Sequence, residues 1–329
     1  IGCTKGKASR IYGGIAGSGG VVFFQPSQSA DRWSSGTGVE IDGPSTYTGD
    51  TFIHGRADFQ PNVLPFGDRI GDVYLYGVSI LKGSMTVNGL NGNGDLVRAN
   101  SGAATLNIGD NNATSSFGGS IYDFGPLSIN KIGSGTQTLS GTNSEYIGAT
   151  SVRGGSLSVV SVNSALGTGS LYSCSSLGAP TSVVNGTIAL GYATTNGTLQ
   201  YSGAGETSAR VINLAGTTGG GILDASGTGA LVFSTNFTAT GTGSKTLTLK
   251  GSSTNANTIQ GTIVNNSAAN TTSVTKDGAG TWILSGTNTY TGATTISNGI
   301  LAITGCVTSA VTVCTNGILT GTGLITNSA

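Results

Sequence analysis

The feature that most limits what this chain can fold into is a strand-length unit that recurs. Residues 280–305 read "GTWILSGTNTYTGATTISNGILAITG". Apolar side chains come in short alternating bursts, and each burst stops at Gly or Asn. Residues 135–159, "GTQTLSGTNSEYIGATSVRGGSLSV", and 38–59, "GVEIDGPSTYTGDTFIHGRADF", follow the same plan. Gly286, Gly141 and Gly43 correspond, as do Gly292, Gly148 and Gly49, with one extra residue between the two glycines of the middle copy. Trp282 and Leu284 match Gln137 and Leu139, then Val39 and Ile41. Further on, Thr294 and Ile296 match Thr150 and Val152, then Thr51 and Ile53. Leu301 and Ile303 match Leu157 and Val159, then Ala57 and Phe59. Each copy reads as three short strands of period two with one apolar face.

Such strands are too short to hold together as a hairpin sheet. They suit the successive sides of a coil, in which each side pairs with the same side of the next turn and the core closes only by stacking. The expected fold is all-β, a parallel β-helix (β-solenoid) with little or no helix. The copies start near 38, 135 and 280, so the rungs between them must vary in length. "GTLQYSG" (197–203), "GGILDASG" (220–227), "GALVFSTNF" (229–237) and "KTLTLKG" (245–251) supply strand-length runs for those rungs.

Composition agrees. Only 9% of residues are charged, against a usual figure of roughly 25%. Gly contributes 57 of 329 residues, and Val, Ile and Thr are plentiful, which points to ordered strands with many turns rather than disorder. Net charge is zero, so nothing favours nucleic acid or an anionic membrane. Residues 1–100 hold 16 of the 28 charged side chains. That unevenness sets an expected boundary: a 1–100 N-terminal β region, a cap or the first rungs, and a 101–329 solenoid clearest at 129–171 and 259–325. No apolar run is long enough for a transmembrane helix. "IGCTKGKASR" has no apolar h-region of a signal peptide, so a processed or trimmed start is expected.

"TKDGAGTWILSGTNTYTGATTISNGILAI" closely resembles the autotransporter-associated β-strand repeat, the passenger repeat of bacterial autotransporters. "IQGTIVNN" (259–266) and "INKIGSGTQTLSGTN" (129–143) resemble its lead-in, and "VNSALGTGSL" (162–171) and "TNGILTGTGLI" (315–325) its follow-on rungs. The resemblance implies a right-handed parallel β-helix, export from a bacterial cell and a life at the cell surface or outside it. It transfers no catalytic residue. The final "ILTGTGLITNSA" lacks the aromatic girdles of an outer-membrane barrel. Either a barrel has been removed or the chain reaches the surface by another route.

The search for chemistry yields little. Parallel β-helix enzymes need paired carboxylates or an acidic cation site on one face. Beyond residue 100 the acids are Asp110, Asp123, Glu145, Glu206, Asp224 and Asp277, scattered and not repeated. The densest polar cluster, "FGDRIGDVYLYG" with Asp68, Arg69 and Asp72, reads as a turn with a local ion pair, and as a sugar or cation site in the alternative. His54 is the sole histidine and reads as a turn residue. Tyr47 and Tyr290 hold equivalent repeat positions, which suggests a structural duty at a corner. Sequons such as Asn196-Gly197-Thr198 and Asn236-Phe237-Thr238 are expected by chance in a chain this rich in Asn and Thr. No catalytic, cofactor or metal residues are expected, and no enzyme.

Four cysteines allow three pairings. Cys306 and Cys314, eight apart in a strand-turn-strand reading, are the first disulfide candidates, with free thiols as the alternative; Cys3 with Cys174 follows by elimination. Two functions fit. The first is a structural subunit of a bacterial fibre, sheath or matrix, polymerising with itself head to tail through open strand edges. The second is a monomeric adhesin passenger that binds a glycan or a host protein through an irregular insertion, best placed at 60–77.

Overall fold

The computed structural model describes residues 9–24, 39–41, 43, 45–59, 70–163 and 174–326. Cys3, Asp68, Arg69 and the 60–69 part of the 60–77 insertion lie outside them, as does 164–171 of the follow-on at 162–171. The chain forms two compact units, residues 1–149 with 174–180, and residues 150–173 with 181–329.

In the first unit, three parallel ladders form the sides of a coil. One runs through Ser9–Ile11, Val39–Ile41, Arg56–Phe59, Val78–Leu81, Asp95–Arg98 and Ile121–Asp123. A second runs through Val21–Phe24, Thr51–His54, Val73–Leu75, Leu90–Gly92, Ser115–Phe117 and Thr136–Leu139. A third joins Met85–Val87, Ala104–Ile108 and Leu127–Lys131. The first ladder continues past residue 100, from Asp95–Arg98 to Ile121–Asp123. Rung length varies as the uneven repeat starts require: Val21 pairs with Thr51, but Val73 with Leu90.

The second unit is built the same way. Its longest ladder runs through Ser156–Val159, Gly197–Tyr201, Gly221–Ala225, Lys245–Lys250, Thr272–Lys276, Thr294–Ile303 and Val311–Thr320. Another runs through Glu206–Ser208, Leu231–Phe233, Asn257–Ile259 and Thr281–Leu284, and meets the later half of Thr294–Ile303. The four inferred runs at 197–251 all contain strands. The last repeat departs from its relatives. Its second and third strands are one ten-residue strand, Thr294–Ile303, with a register shift between Ile296 and Asn298. Gly299, at φ +72°, carries the bend that other copies make as a turn. The one helix among the described residues is the single turn Val183–Gly186, with Ser182 Oγ accepting from the Asn185 N–H.

The repeat positions matched in the sequence form the interior. Trp282, Leu284, Leu139, Val39, Ile53, Val152, Ile296, Ala57, Phe59, Leu157, Val159, Leu301 and Ile303 are all buried, as are Gln137, Thr51, Thr150 and Thr294; the side chain of Ile41 is not among those described. Full burial of each Leu, Ile or Phe contributes roughly 1.5–3 kcal/mol, and no rung gains it without neighbours above and below. The repeat glycines follow from the same stacking. A Cβ on Gly141 would lie 2.0 Å from the Gly119 carbonyl oxygen, and one on Gly286 2.4 Å from that of Gly261.

Several polar side chains inside the coil are bonded to backbone. Gln137 exchanges two hydrogen bonds with Leu90, its Oε1 accepting from the Leu90 N–H at 3.0 Å and its Nε2 donating to the Leu90 carbonyl at 2.8 Å. Asn257 and Asn288 tie neighbouring rungs in the second unit, accepting from the N–H groups of Leu231 and Ile263. Two buried lysines occupy the same repeat position: Lys131 donates to the carbonyls of Ile132 and Gly133, and Lys276 to those of Gly278 and Asn298. Burial lowers both ammonium groups from the usual lysine range, Lys131 to about 8. Tyr47 and Tyr290 close corners as inferred, each fully buried and bonded through its hydroxyl to the threonine four residues on, Thr51 and Thr294.

Candidate functional site

With the interior committed to stacking, recognition is left to the outward positions. Those of the first unit are unlike any others among the described residues. Two successive rungs there repeat a row: Gly49-Asp50-Thr51-Phe52-Ile53-His54-Gly55 and Gly71-Asp72-Val73-Tyr74-Leu75-Tyr76-Gly77. Strand alternation buries Thr51, Ile53, Val73 and Leu75, and turns the acid and both rings of each row away from the core. Register places Phe52 beside Tyr74, with Val22 before them and Asn91 after. Phe24 lies beside His54 in the next column.

The rings stack along the coil. Phe52 and Tyr74 have centroids 4.7 Å apart at 15°, and His54 and Tyr76 4.8 Å apart at 15°. Phe24 and Tyr76 are 52% and 44% exposed, so the second column presents aromatic surface to solvent at both ends. The acid column is ordered by backbone. Asp50 Oδ1 accepts from the Asp72 N–H at 2.8 Å. Asp72 in turn accepts from the Gly89 N–H, Asn91 Nδ2, Asn111 Nδ2 and Ser115 Oγ, at 2.7–3.2 Å. Its carboxylate thus binds four later residues into one knot. Burial raises the Tyr74 phenol, and the charges of Asp50 and Asp72 raise it further. The patch combines ring surfaces and carboxylate acceptors, which suits recognition of a polyol better than bond cleavage.

The residues singled out in the sequence are dispersed. His54 ends the strand Thr51–His54 rather than sitting in a turn, exposed and stacked on Tyr76. Asp123 accepts from the N–H groups of Leu127 and Ile147, each at 2.8 Å, and burial raises its carboxyl. Glu206 accepts from the Val162 N–H with both oxygens and is likewise raised by burial. Asp224 accepts from Gln200 and Ser226, Asp277 pairs with Lys250 at 3.2 Å, and Glu145 accepts from the Cys174 thiol at 3.7 Å. Asp110 occupies a turn after Ala104–Ile108. Among the described residues no cluster of three His, Cys, Asp or Glu is arranged to hold a metal.

The expected disulfide is corrected. Cys306 and Cys314 are free thiols. A hairpin would bring the ends of "CVTSAVTVC" together. Here Cys306–Val307 and Val311–Thr320 are successive sides of the coil, the first paired with Thr287–Asn288 and Leu324–Ile325, the second with Thr294–Ile303. The aromatic rows are marked in the sequence by recurrence, not by paired acids or metal-ligand spacing. Their signal was present as "GDTFIHG" against "GDVYLYG".

Comparison with known proteins follows the repeats. Residues 129–159 and 274–303 match the passenger-associated-transport-repeat family. Over 156 residues, 45% of the chain, the sequence is 36% identical to the adhesin BmaC autotransporter of Brucella suis biovar 1. That stretch spans 4% of the relative's length. No solved structure matches the chain, and among the described residues no helix is long and apolar enough to cross a membrane. The chain therefore carries autotransporter passenger repeats over those two stretches, which mark it as an exported bacterial surface protein.

Proposed function

We propose that this chain is part of an adhesin-type passenger, a stacked β-helical wall that presents an adhesive face away from the cell. Its main support is the 36% identity over 156 residues to an autotransporter adhesin. The outward rows at Asp50–His54 and Asp72–Tyr76 give the wall a surface suited to contact. The proposal assigns no catalysis: Asp123, Glu145, Glu206, Asp224 and Asp277 serve backbone N–H groups, side-chain hydrogen bonds and an ion pair. A self-associating fibre or sheath rests on low charge and the general hazard of open strand edges alone, and takes second place.

Beads coated with the purified chain test the reading. They should adhere to mammalian epithelial cells above albumin-coated beads, while the chain itself stays monomeric in light scattering. Absence of adherence would overturn the adhesin reading. Concentration-dependent growth into rods would restore the fibre.

A further inference from the structure

The twofold row of acid, ring and ring is more specific than an adhesive surface in general. We propose that the face formed by Asp50, Phe52, His54, Asp72, Tyr74 and Tyr76 binds a neutral, hydroxyl-bearing glycan; the inference rests on the adhesin reading and names its ligand class.

The argument starts from the geometry of the strands. Within a row, alternate side chains stand about 6.8 Å apart, and rows lie about 4.8 Å apart. The patch is thus a grid, with one carboxylate column and two ring columns. The ring faces left open at the ends of the stacks, and the ring edges between them, can take the C–H groups of a pyranose, and the tyrosine hydroxyls can donate or accept. The carboxylates are acceptors only and complement sugar hydroxyls. Asp72 is occupied by its four donors, whereas Asp50 Oδ2 has no partner among the described residues. It therefore supplies an acceptor beside Phe52.

Charge decides between glycan classes. Asp50 and Asp72 stand side by side at one border of the rings, and no Lys or Arg ion-pairs with either among the described residues. Among the described residues the basic side chains of these rungs are Arg56 and Lys82, engaged with Asp58 and Glu40 on the neighbouring ladder. An anionic sugar would meet two carboxylates and, among the described residues, no Lys or Arg to compensate them. A neutral sugar meets acceptors and rings. A protein ligand is the competing class, but an apolar protein surface would leave the Asp50 carboxylate desolvated and unpaired, at a cost.

The test is calorimetry on the whole chain with neutral tetrasaccharides of glucose, galactose and N-acetylglucosamine, and a heparin tetrasaccharide as the acidic comparator. At least one neutral probe should bind, and heparin should bind more weakly. Tyr76→Ser and Phe24→Ser remove exposed rings from different rungs. Each should weaken binding roughly tenfold or less, the fold-change expected for one ring contact, with the far-ultraviolet dichroism unchanged. Tyr76→Phe should restore most of the affinity, and Asp50→Asn should narrow the gap to heparin. No binding of any neutral probe, or heparin as the tightest, overturns the inference. Bead adherence separates the two readings. Adherence that survives Tyr76→Ser and excess neutral glycan leaves the adhesin reading standing and sinks this one, with a protein ligand as the successor. Glycan binding without adherence does the reverse.

Discussion

The ladder through Thr51–His54 in the first unit and the ladder through Lys245–Lys250 in the second bury the same kinds of side chain and show solvent different ones. Inward, Val21, Phe23, Ile53, Val73 and Leu75 correspond to Leu199, Leu223, Leu247, Leu249 and Val274. Outward, the first carries Phe24, Phe52, His54, Tyr74 and Tyr76. The second carries a column of Thr198, Ile222, Thr248, Thr275, Thr295 and Thr312. The difference separates two constraints. An inward residue must fit the rungs on both sides of it, so substitutions there are answerable to the whole stack. An outward residue answers only to its two neighbours in the column and to whatever arrives from solvent. Aromatic rows can therefore arise in one unit while hydroxyl rows persist in the other, on one backbone plan.

The largest effects should come from exchanging what the two units hold at one inward position. Trp282 fills in the second unit the slot that Gln137 fills in the first. Trp282 is 1% exposed, and its Nε1 donates to the Lys250 carbonyl at 2.7 Å. Trp282→Ala should cost about 3–5 kcal/mol. Gln137→Leu keeps volume but strands the Leu90 N–H and carbonyl, at about 1–3 kcal/mol for each group left unpaired. Hydrogen exchange resolved by segment checks both. The losses should fall on strands 257–284 in one case and 90–139 in the other. Effects below 1 kcal/mol would show that a single rung tolerates loss of its filler and would undo the contrast between inward and outward.

Charge gives the next comparison. Lys131 lies inside a wall whose other inward residues are mostly apolar, and burial holds its amine at about 8, against about 10.4 in an unfolded chain. Between those values the unfolded chain holds a proton that the folded one lacks, so stability rises with pH across the window and is lost as pH falls through about 8. Tyr47 works in the opposite sense: burial raises its phenol to about 12, so its share of stability is intact below pH 10 and disappears from pH 10 towards 12. Unfolding of the first unit should therefore be most resisted near pH 10. Lys131→Met should remove the rise while costing about 1–3 kcal/mol at neutral pH through the uncapped carbonyls. Denaturant midpoints between pH 7 and 11 measure both, and a flat profile in the wild type would refute the assignment.

The sequence made the interior readable and the exterior much less so, for a physical reason. Inward side chains keep period two and recur between copies, because every rung faces the same packing problem. Gln137, Thr150 and Thr294 could be placed inside from their repeat positions despite being polar. The buried lysines were hidden, since a charge normally marks an outward position. What places Lys131 and Lys276 inside is the parity of "LSINK" and "TSVTK" together with carbonyls turned towards them by the corner. The cysteine reading failed because an eight-residue separation suits a hairpin, and only the parallel ladder shows that Cys306 and Cys314 belong to different sides. The aromatic rows are legible in principle, as a second repeat laid over the first, but acids and metal-ligand spacing, the usual marks of chemistry, do not point to them.

A smaller effect should separate the corner tyrosines from the rings on the outer face. Tyr290 donates to or accepts from Thr294 at 2.7 Å inside the corner, and Thr294 is also bonded to Ser309 at 2.6 Å. Tyr290→Phe removes one member of a buried chain of hydroxyls and should cost about 1 kcal/mol. Tyr76→Phe, on the solvent side, should change stability by less than that.

The smallest effect is the sharpest test of the division between faces. Thr275 lies in the outward hydroxyl column, paired in register with Thr248 and Thr295. Valine has the same shape, keeps the branched Cβ that suits a strand and loses only a hydroxyl that water can replace. Thr275→Val should therefore shift stability by less than about 0.5 kcal/mol, the usual range for a surface substitution. The contrasting change, Thr272→Val on the same strand, points inward at a site with no exposure. There the hydroxyl has no hydrogen-bond partner among the described residues, so replacing it with a methyl should stabilise the second unit rather than leave it unchanged. Two isosteric substitutions three residues apart are thus expected to differ in sign or size solely because of the face they occupy. Equal midpoints for both variants in urea would mean that the outward column is under the same packing constraint as the core, and the exterior could not then vary as freely as the aromatic rows require.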